Sequence, residues 1–172
     1  MAEKYIKRGT GSADLQEVEG QATSAGVGDA GKLVALNPSG KLDGTLFPAG
    51  VGEEIITLVA SEALSAGDFV NVWDDAGTPK MRKADATSTG KAADGFVTSS
   101  VTLSATGTFY AMGALNDQLS ALTPGAIYYL STTAGAASTT RPIATGNIIQ
   151  RVGRAVNATT IDTGDYPVIE II

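Results

Sequence analysis

The sequence predicts an all-β fold, an antiparallel barrel or compact sandwich built from two related halves and preceded by an extended N-terminal arm. The first observation is composition: 21 of the 172 residues are Gly, and short apolar runs alternate with Gly-, Ser- and Thr-rich pieces, which is typical of short strands joined by tight turns. The second is an internal repeat, because a displacement of 58 residues brings LSAGDFVNV (64–72) onto LTPGAIYYL (122–130). We therefore expect an arm over residues 1–53 and a β domain over residues 54–172.

The placement of glycines relative to apolar runs supports the repeat. Three glycine pairs coincide in the displaced frame: Gly67 with Gly125, Gly77 with Gly135, and Gly95 with Gly153. Two pairs of apolar runs also coincide: Phe69–Val72 with Ile127–Leu130, and Phe109–Ala111 with Pro167–Ile169. Because Gly marks turns that need positive φ, the pattern predicts that residues 64–112 and 122–170 fold alike. Two unrelated hairpins with similar turn chemistry are the alternative.

Residues 1–30 contain few large apolar side chains. Those present are Tyr5, Ile6, Leu15, Val18 and Val27, separated by Gly, Ser, Ala and Glu. Such a segment cannot bury enough surface to offset its conformational entropy by itself. Two alternatives follow: a disordered arm, or an arm that becomes ordered by docking on a partner.

Residues 31–48 carry more apolar side chains than a linker should. Gly31-Lys32-Leu33 and Gly40-Lys41-Leu42 repeat nine residues apart, and Asn37-Pro38-Ser39-Gly40 between them predicts a turn. Two short strands cannot bury these groups alone, so they must pack on the following domain or on copies of themselves. We predict an interface formed by five side chains: Leu33, Leu36, Leu42, Leu46 and Phe47.

From residue 54 onward, β-branched and aromatic runs predict strands at short spacing. The expected strands are Ile55–Ala60, Phe69–Trp73, Lys80–Lys83, Gly95–Val101, Thr106–Met112, Ile127–Leu130, Ile148–Val156 and Tyr166–Ile172. Asp74-Asp75-Ala76-Gly77 is a strong signal for a hairpin turn. Residues 116–121 are compatible with a single helical turn.

The sequence offers little support for a catalytic or metal-binding site. The chain has no His and no Cys, which excludes a Ser-His-Asp triad, disulfides and thiolate zinc sites. A Ser–Lys arrangement stays formally open, although no Ser is singled out. Asp74 and Asp75 could offer calcium ligands, but turn chemistry explains them better, since calcium needs a wrapped loop of oxygen donors. We expect no enzymatic activity, no metal and no cofactor.

Charge and hydropathy exclude two classes of partner. The net charge of −6 at pH 7 argues against a broad nucleic-acid interface, which needs clustered Lys and Arg. No apolar stretch approaches the ~20 residues of a membrane span, and the N-terminus lacks the apolar region of a signal peptide. Trp73, Tyr128 and Tyr129 suggest a sugar-stacking platform, but aromatic residues inside apolar runs favour a core or a subunit interface.

GKLVALNPSGKLDGTLFP (31–48), followed by ASEALSAGDFVNVWDDAGTPKMRKADAT (60–87), resembles structural proteins of tailed bacteriophages: virion decoration, head-fibre and tail-fibre proteins. LTPGAIYYLSTTAGAAST (122–139) and IIQRVGRAVNATTI (148–161) resemble the closing part of the same module. The resemblance covers most of residues 30–172. It implies a trimer with an N-terminal segment that attaches to the virion and a β-rich distal domain.

The resemblance leads us to expect a capsid decoration, or cement, protein: a homotrimer on the outer head surface, with the major capsid protein as partner, made in the cytoplasm of a host bacterium. The alternative is a head- or tail-fibre protein that binds a host receptor. Exposed aromatic residues in the loops after Gly77, Gly113 and Gly135 would favour a fibre, but Thr, Ala and Ser dominate those loops. A hydrolytic tailspike is disfavoured by the missing His and the short chain.

Overall fold

The structure is a computed structural model that describes residues 4–8, 15–47 and 54–172. The chain divides into two compact units, Met1–Gly52 and Glu53–Ile172. The described part of the chain contains thirteen β-strands and three short 3-10 helices, and no α-helix. The protein is therefore all-β, with a closed barrel and an open sheet in the second unit.

The first unit begins with an antiparallel hairpin. Strand β1 (Lys4–Arg8) pairs with β2 (Leu15–Glu19) over five residues. The Nζ of Lys4 lies 3.0 Å from Oε1 of Glu17, so an ion pair crosses the hairpin. The sequence left two alternatives for this segment, a disordered arm and an arm ordered by docking on a partner. The structure shows a paired hairpin here.

The rest of the first unit has little regular structure. Two 3-10 helices span Val27–Asp29 and Gly44–Leu46. The predicted turn at residues 37–40 is present, because the Gly40 N–H donates to the Asn37 carbonyl at 2.8 Å. In place of the two expected strands, the described part of residues 31–48 has one isolated bridge, Gln21 with Val34. Strands this short gain too little from pairing to form without a sheet beside them.

The first half of the second unit is a closed five-stranded barrel. Its strands are β3 (Ile55–Ala60), β4 (Phe69–Asp75), β5 (Thr78–Lys83), β6 (Gly95–Val97) and β7 (Thr106–Ala111). The order around the barrel is β3-β5-β4-β6-β7. Every pairing is antiparallel except β3 with β5, which is parallel. Val70, Met81 and Phe109, all at most 1% exposed, fill its interior.

The second half is an open sheet. Its strands are β8 (Leu115–Asn116), β9 (Ile127–Leu130), β10 (Ala137–Ser138), β11 (Ile148–Ala155), β12 (Ile161–Thr163) and β13 (Val168–Glu170). The order is β10-β9-β11-β12-β8, and β13 also pairs with β11. The helical turn expected over residues 116–121 is wrong, because Asn116 belongs to β8. Its buried side chain donates to the Gly67 carbonyl at 3.0 Å, which holds the chain away from a helical path.

The same turn opens both halves. The Gly67 N–H donates to the Val97 carbonyl at 2.8 Å, and 58 residues later the Gly125 N–H donates to the Ala155 carbonyl at 2.8 Å. Both glycines have positive φ, 89° and 81°, which only Gly adopts without strain. The strand orders of the two halves also correspond, with β9, β10 and β11 in the places of β4, β5 and β6.

Gly95 and Gly153 occupy equivalent close approaches between strands. A Cβ added at Gly95 would lie 2.2 Å from the Tyr110 carbonyl oxygen, and one at Gly153 would lie 2.2 Å from that of Asp162. The 58-residue offset from Tyr110 would place the carbonyl that approaches Gly153 at Val168. The observed carbonyl, that of Asp162, lies six residues earlier in the chain. The strand in the place of β7 is therefore β12, and the alignment of Phe109–Ala111 with Pro167–Ile169 does not describe the pairing.

The second half is the barrel of the first half, opened at one seam. β3 pairs with β5 in the first half, whereas the corresponding β8 and β10 do not pair. The first half fills the opening: the Phe69 N–H donates to the Gly135 carbonyl at 2.9 Å, and the Gly135 N–H donates to the Ala84 carbonyl at 2.8 Å. Phe69 and Phe96 enter one core with Leu130 of the second half. The two halves therefore share a core.

Candidate interaction surface

The first unit presents a group of exposed apolar side chains, which we call the apolar surface. They are between 43 and 60% exposed: Leu33, Val34, Leu36, Leu42 and Phe47. Four of them belong to the interface that the sequence predicts. The fifth predicted residue, Leu46, is half-buried. Val34 was missing from the predicted interface, although its position between Leu33 and Leu36 was a signal for it.

Backbone hydrogen bonds hold this segment in place while leaving its side chains free. The Gln21 N–H donates to the Leu33 carbonyl at 2.8 Å, and the Ala35 N–H donates to the Gln21 carbonyl at 2.8 Å. At the turn, Oδ1 of Asn37 accepts bonds from the N–H groups of Ser39 and Lys41, both at 3.0 Å. These main-chain groups are satisfied locally, and the exposed apolar side chains remain available for a partner.

A groove of about 790 Å³ lies beside the part of the apolar surface formed by Leu33, Val34 and Leu36. Tyr5, Leu33, Val34 and Leu36 line it, together with the charged residues Lys4 and Glu19 of the hairpin strands. A groove of this size with mostly apolar walls can take part of a macromolecular partner as well as a small ligand.

A smaller hollow of about 210 Å³ lies beside the 3-10 helix at Val27–Asp29, lined in part by Val34, Leu46, Asp29 and Lys32. The Lys32 ammonium donates to Asp29 at 2.6 Å, and the Ala25 N–H donates to the same carboxylate at 2.6 Å. These bonds hold the pKa of Asp29 below its usual value. The charges of Asp29 and Lys32 compensate each other, so the apolar side chains dominate this part of the first unit.

Two of the aromatic residues considered for sugar binding, Trp73 and Tyr128, are engaged within the fold. Tyr128 is 6% exposed, and its hydroxyl accepts a bond from the Thr123 N–H at 2.9 Å, so it belongs to the core. Trp73 is half-buried, donates to Oγ of Ser61 at 3.0 Å, and carries the Arg82 guanidinium 4.9 Å from its ring centre. One face of the indole is therefore already covered.

The acidic residues Asp74 and Asp75 belong to the hairpin between β4 and β5. Asp75 lies opposite Thr78 in the β4–β5 register and forms an ion pair with Lys80. Ala76 and Gly77 between them have φ of 54° and 87°, as a two-residue hairpin loop requires. The hairpin predicted at residues 74–77 is confirmed.

Asp85 is a buried carboxylate at the centre of an ionic cluster in the second unit. Its carboxylate accepts bonds from the hydroxyl and N–H of Thr87, and from the Lys91 ammonium at 2.9 Å. Burial raises the pKa of Asp85, but the bonds from Thr87 and Lys91 outweigh it and leave the pKa below its ordinary value. Its neighbours Ala84 and Ala86 bond to the second half, so the cluster braces the junction between the halves.

Residues 4–8, 15–47 and 54–172 show neither a cluster of metal-ligating side chains nor a membrane-spanning helix. No group of three or more acidic side chains is placed there to hold a metal ion. No helix in that part of the chain is long and apolar enough to cross a membrane. That the protein binds no metal or cofactor stays a prediction.

Comparison with known proteins does not assign the chain to a family. No family model matches it, and neither a curated protein nor a solved structure does. The observed class is an all-β protein with a closed barrel, a related open sheet and an exposed apolar surface on its first unit.

Proposed function

We propose that the protein is a capsid decoration protein of a tailed bacteriophage, which binds the outer head surface as a homotrimer and has the major capsid protein as its partner. The observation that carries the proposal is the apolar surface of residues 33–47. Its side chains are about half exposed, although contact between apolar side chains and water is unfavourable. Apolar side chains exposed in this number within one short segment are typical of an interaction site.

The apolar surface supports a clamp rather than a catalyst. A decoration protein would bury this surface between copies and against the capsid, and each Å² removed from water stabilises the assembly by about 25 cal/mol. Copies spanning neighbouring capsid subunits would resist the outward pressure of packaged DNA. An acidic chain of net charge −6 suits this role, because it need not touch the DNA.

Closed cyclic symmetry would keep a protein with such a surface in solution before it binds a capsid. A threefold arrangement hides part of the apolar surface between identical copies without leaving a free end. The proposed trimer rests on the resemblance to phage structural proteins together with this need for burial.

The test is co-sedimentation of purified protein with undecorated capsids. Leu42→Asp and Phe47→Asp should each weaken capsid binding at least ~10-fold, because burying an unpaired carboxylate costs several kcal/mol. Leu103→Asp is the matched control, since Leu103 is also exposed but lies in the second unit. Undiminished binding by the Leu42→Asp, Phe47→Asp double variant would overturn the proposal.

Copy number separates this function from the fibre alternative. Hundreds of copies per particle are expected of a decoration protein, whereas a handful would indicate a head or tail fibre. The loops after Gly113 and Gly135 contain no aromatic residue, which weakens the case for glycan recognition there.

A further inference from the structure

The second half of the barrel unit carries a strand that the first half lacks. Residues 153–155 of β11 take the place of β6, at the 58-residue offset. The five preceding residues of β11 correspond to residues 90–94, which form no strand. β13 pairs with this extension of β11, at residues 148–150. The ribbon of β13 and the start of β11 is therefore an addition to the repeated barrel.

β13 contributes nothing to the core, although it is mostly apolar. Val168 is 41% exposed and Ile169 is 58% exposed, and Glu170 is exposed as well. On the adjacent strand, their partners Ile148 and Gln150 are buried. A strand with Val and Ile side chains but no packing role is typical of an interaction site.

One edge of β13 is open. The Ile171 N–H donates to the Asn147 carbonyl at 2.9 Å, so Ile171 directs its backbone groups toward the β11 side. Alternate residues of an extended strand point their backbone groups in opposite directions, so Ile169 shares that direction while Val168 and Glu170 point away. No described strand pairs with that outer edge. β13 contains no Lys, Pro or bulge, so its short length and the charge of Glu170 are the edge-protecting features that it carries.

We propose that the open edge of β13 pairs antiparallel with β13 of a second copy of the chain. One register gives hydrogen-bond partners to the outward N–H and C=O groups of Val168 and Glu170. In that register, Val168 of each copy lies opposite Glu170 of the other. Both residues exchange N–H···O=C bonds there, so all four outward backbone groups on each strand are paired. Ile169 then lies opposite Ile169 of the second copy, across the twofold axis.

Charge and shape favour a second copy as the occupant. The register sets the single charge of each strand opposite an apolar side chain, so no like charges are directly opposed. Two identical strands match in length, and they meet at their apolar centre, as a self-complementary twofold interface requires. The proposal concerns the second unit, so this twofold contact links chains in addition to the trimer proposed through the first unit and does not rest on that trimer.

Disulfide trapping tests the pairing in the full-length chain. The chain has no Cys, so Ile169→Cys introduces the only thiol. The opposed positions belong to a non-hydrogen-bonded pair with Cα atoms about 4.5 Å apart, within the ~4.4–6.8 Å that a disulfide spans. Under mild oxidation at micromolar concentration, the variant should form a covalent dimer at least ~10-fold faster than Leu103→Cys, whose position is equally exposed on a loop of the same unit.

Second changes in the Ile169→Cys background test the register. Val168→Lys places a cation opposite Glu170 of the second copy and should speed cross-linking severalfold. Val168→Asp opposes two carboxylates and should slow it by a similar factor. Both changes are at an exposed side chain, so neither should affect folding. Cross-linking no faster than that of Leu103→Cys, equal rates for the Lys and Asp variants, or capture of a different protein alone would each overturn the proposal.

Discussion

Phe69 and Gly135 join the two halves of the second unit: the Phe69 N–H donates to the Gly135 carbonyl at 2.9 Å, and the Phe69 ring is completely buried. Phe69 belongs to the closed barrel, whereas Gly135 lies just before β10 at the seam where the second barrel is open. Through this bond, a residue of the first half occupies the gap between the unpaired strands β8 and β10 of the second half. Stability of the second half should therefore depend on residues of the first.

The first prediction concerns Gly135. Its φ of 80° disfavours any side chain, and an added Cβ would lie 2.7 Å from Oδ1 of Asp68. Gly135→Ala should therefore destabilise the protein by about 2–4 kcal/mol, from strain and crowding together. Gly125→Ala is the control, because φ is 81° there but nothing lies within 4 Å of the added Cβ. Urea denaturation should show a smaller loss for the control; equal losses would mean that crowding at Asp68 has no effect.

The second prediction is that the two halves unfold together. Phe69→Ala should lower the free energy of unfolding by about 3–5 kcal/mol, because it leaves a cavity in the shared core. Far-ultraviolet circular dichroism and the fluorescence of the single Trp, Trp73, should then report one coincident transition at lower denaturant. Leu103→Ala, at an exposed position, should change stability by less than ~0.5 kcal/mol. Two separate transitions in a chain that lacks residues 1–48, and with them most of the first unit, would contradict a shared core.

The third prediction concerns pH. Bonds from Thr87 and Lys91 keep the folded-state pKa of Asp85 below its unfolded value of 3.8. The ionised carboxylate therefore stabilises the fold fully above that unfolded value, and this contribution is lost as pH falls through the lower folded pKa. Asp85→Asn should cost about 1–3 kcal/mol at pH 7. The difference between wild type and variant should shrink in acid.

Denaturation at pH 7 and pH 3 measures the effect of Asp85. The matched control is Asp74→Asn, since Asp74 is exposed at the hairpin turn. It should change stability little at either pH. A difference between wild type and Asp85→Asn that stays constant, or grows, on acidification would contradict the role assigned to the cluster.

The fourth prediction concerns the first unit. Deletion of residues 1–48 should leave the β unit folded by circular dichroism, while trimerisation or capsid binding is lost, because the apolar surface is removed. Light scattering measures the oligomer, and co-sedimentation with undecorated capsids measures binding. A truncated chain that remains trimeric and saturates capsids would show that the β unit makes every contact.

The fifth prediction is that stability does not depend on a metal ion. The midpoint of thermal unfolding should be the same with and without a chelator, and added calcium should not raise it. Ligand binding to the folded state would otherwise raise the midpoint with concentration. A shift of several degrees on chelation would show a metal site that the described acidic residues do not reveal.

Local features of the fold were predictable from the sequence. The bounds of Ile55–Ala60 and Ile127–Leu130 match the observed strands, because β-branched and aromatic runs ending at polar or small residues define short strands. The hairpin turn at residues 74–77 and the equivalent turns at Gly67 and Gly125 were predictable for a similar reason. A backbone that needs positive φ selects Gly within a few residues of sequence.

The candidate interaction surface was also largely predictable. Leu33, Leu36, Leu42 and Phe47 are exposed, because a short segment with many apolar side chains and no strong secondary structure cannot enclose them. That they form an interface stays a prediction. Leu46 is half-buried beside Asp29 and Lys32. Its burial depends on the path of the chain around the 3-10 helix at Val27–Asp29, which no pattern of apolar residues specifies.

The amino-acid sequence by itself determined the all-β class, the repeated turn chemistry and the excess of apolar side chains in residues 31–48. Only the tertiary structure decided that β3 pairs in parallel with β5, that β8 and β10 remain apart, and that Phe69 fills the resulting seam. These features join residues far apart in the chain. Their formation depends on packing and on backbone hydrogen bonds between strands, and any sequence with the same local pattern can pair its strands in several ways.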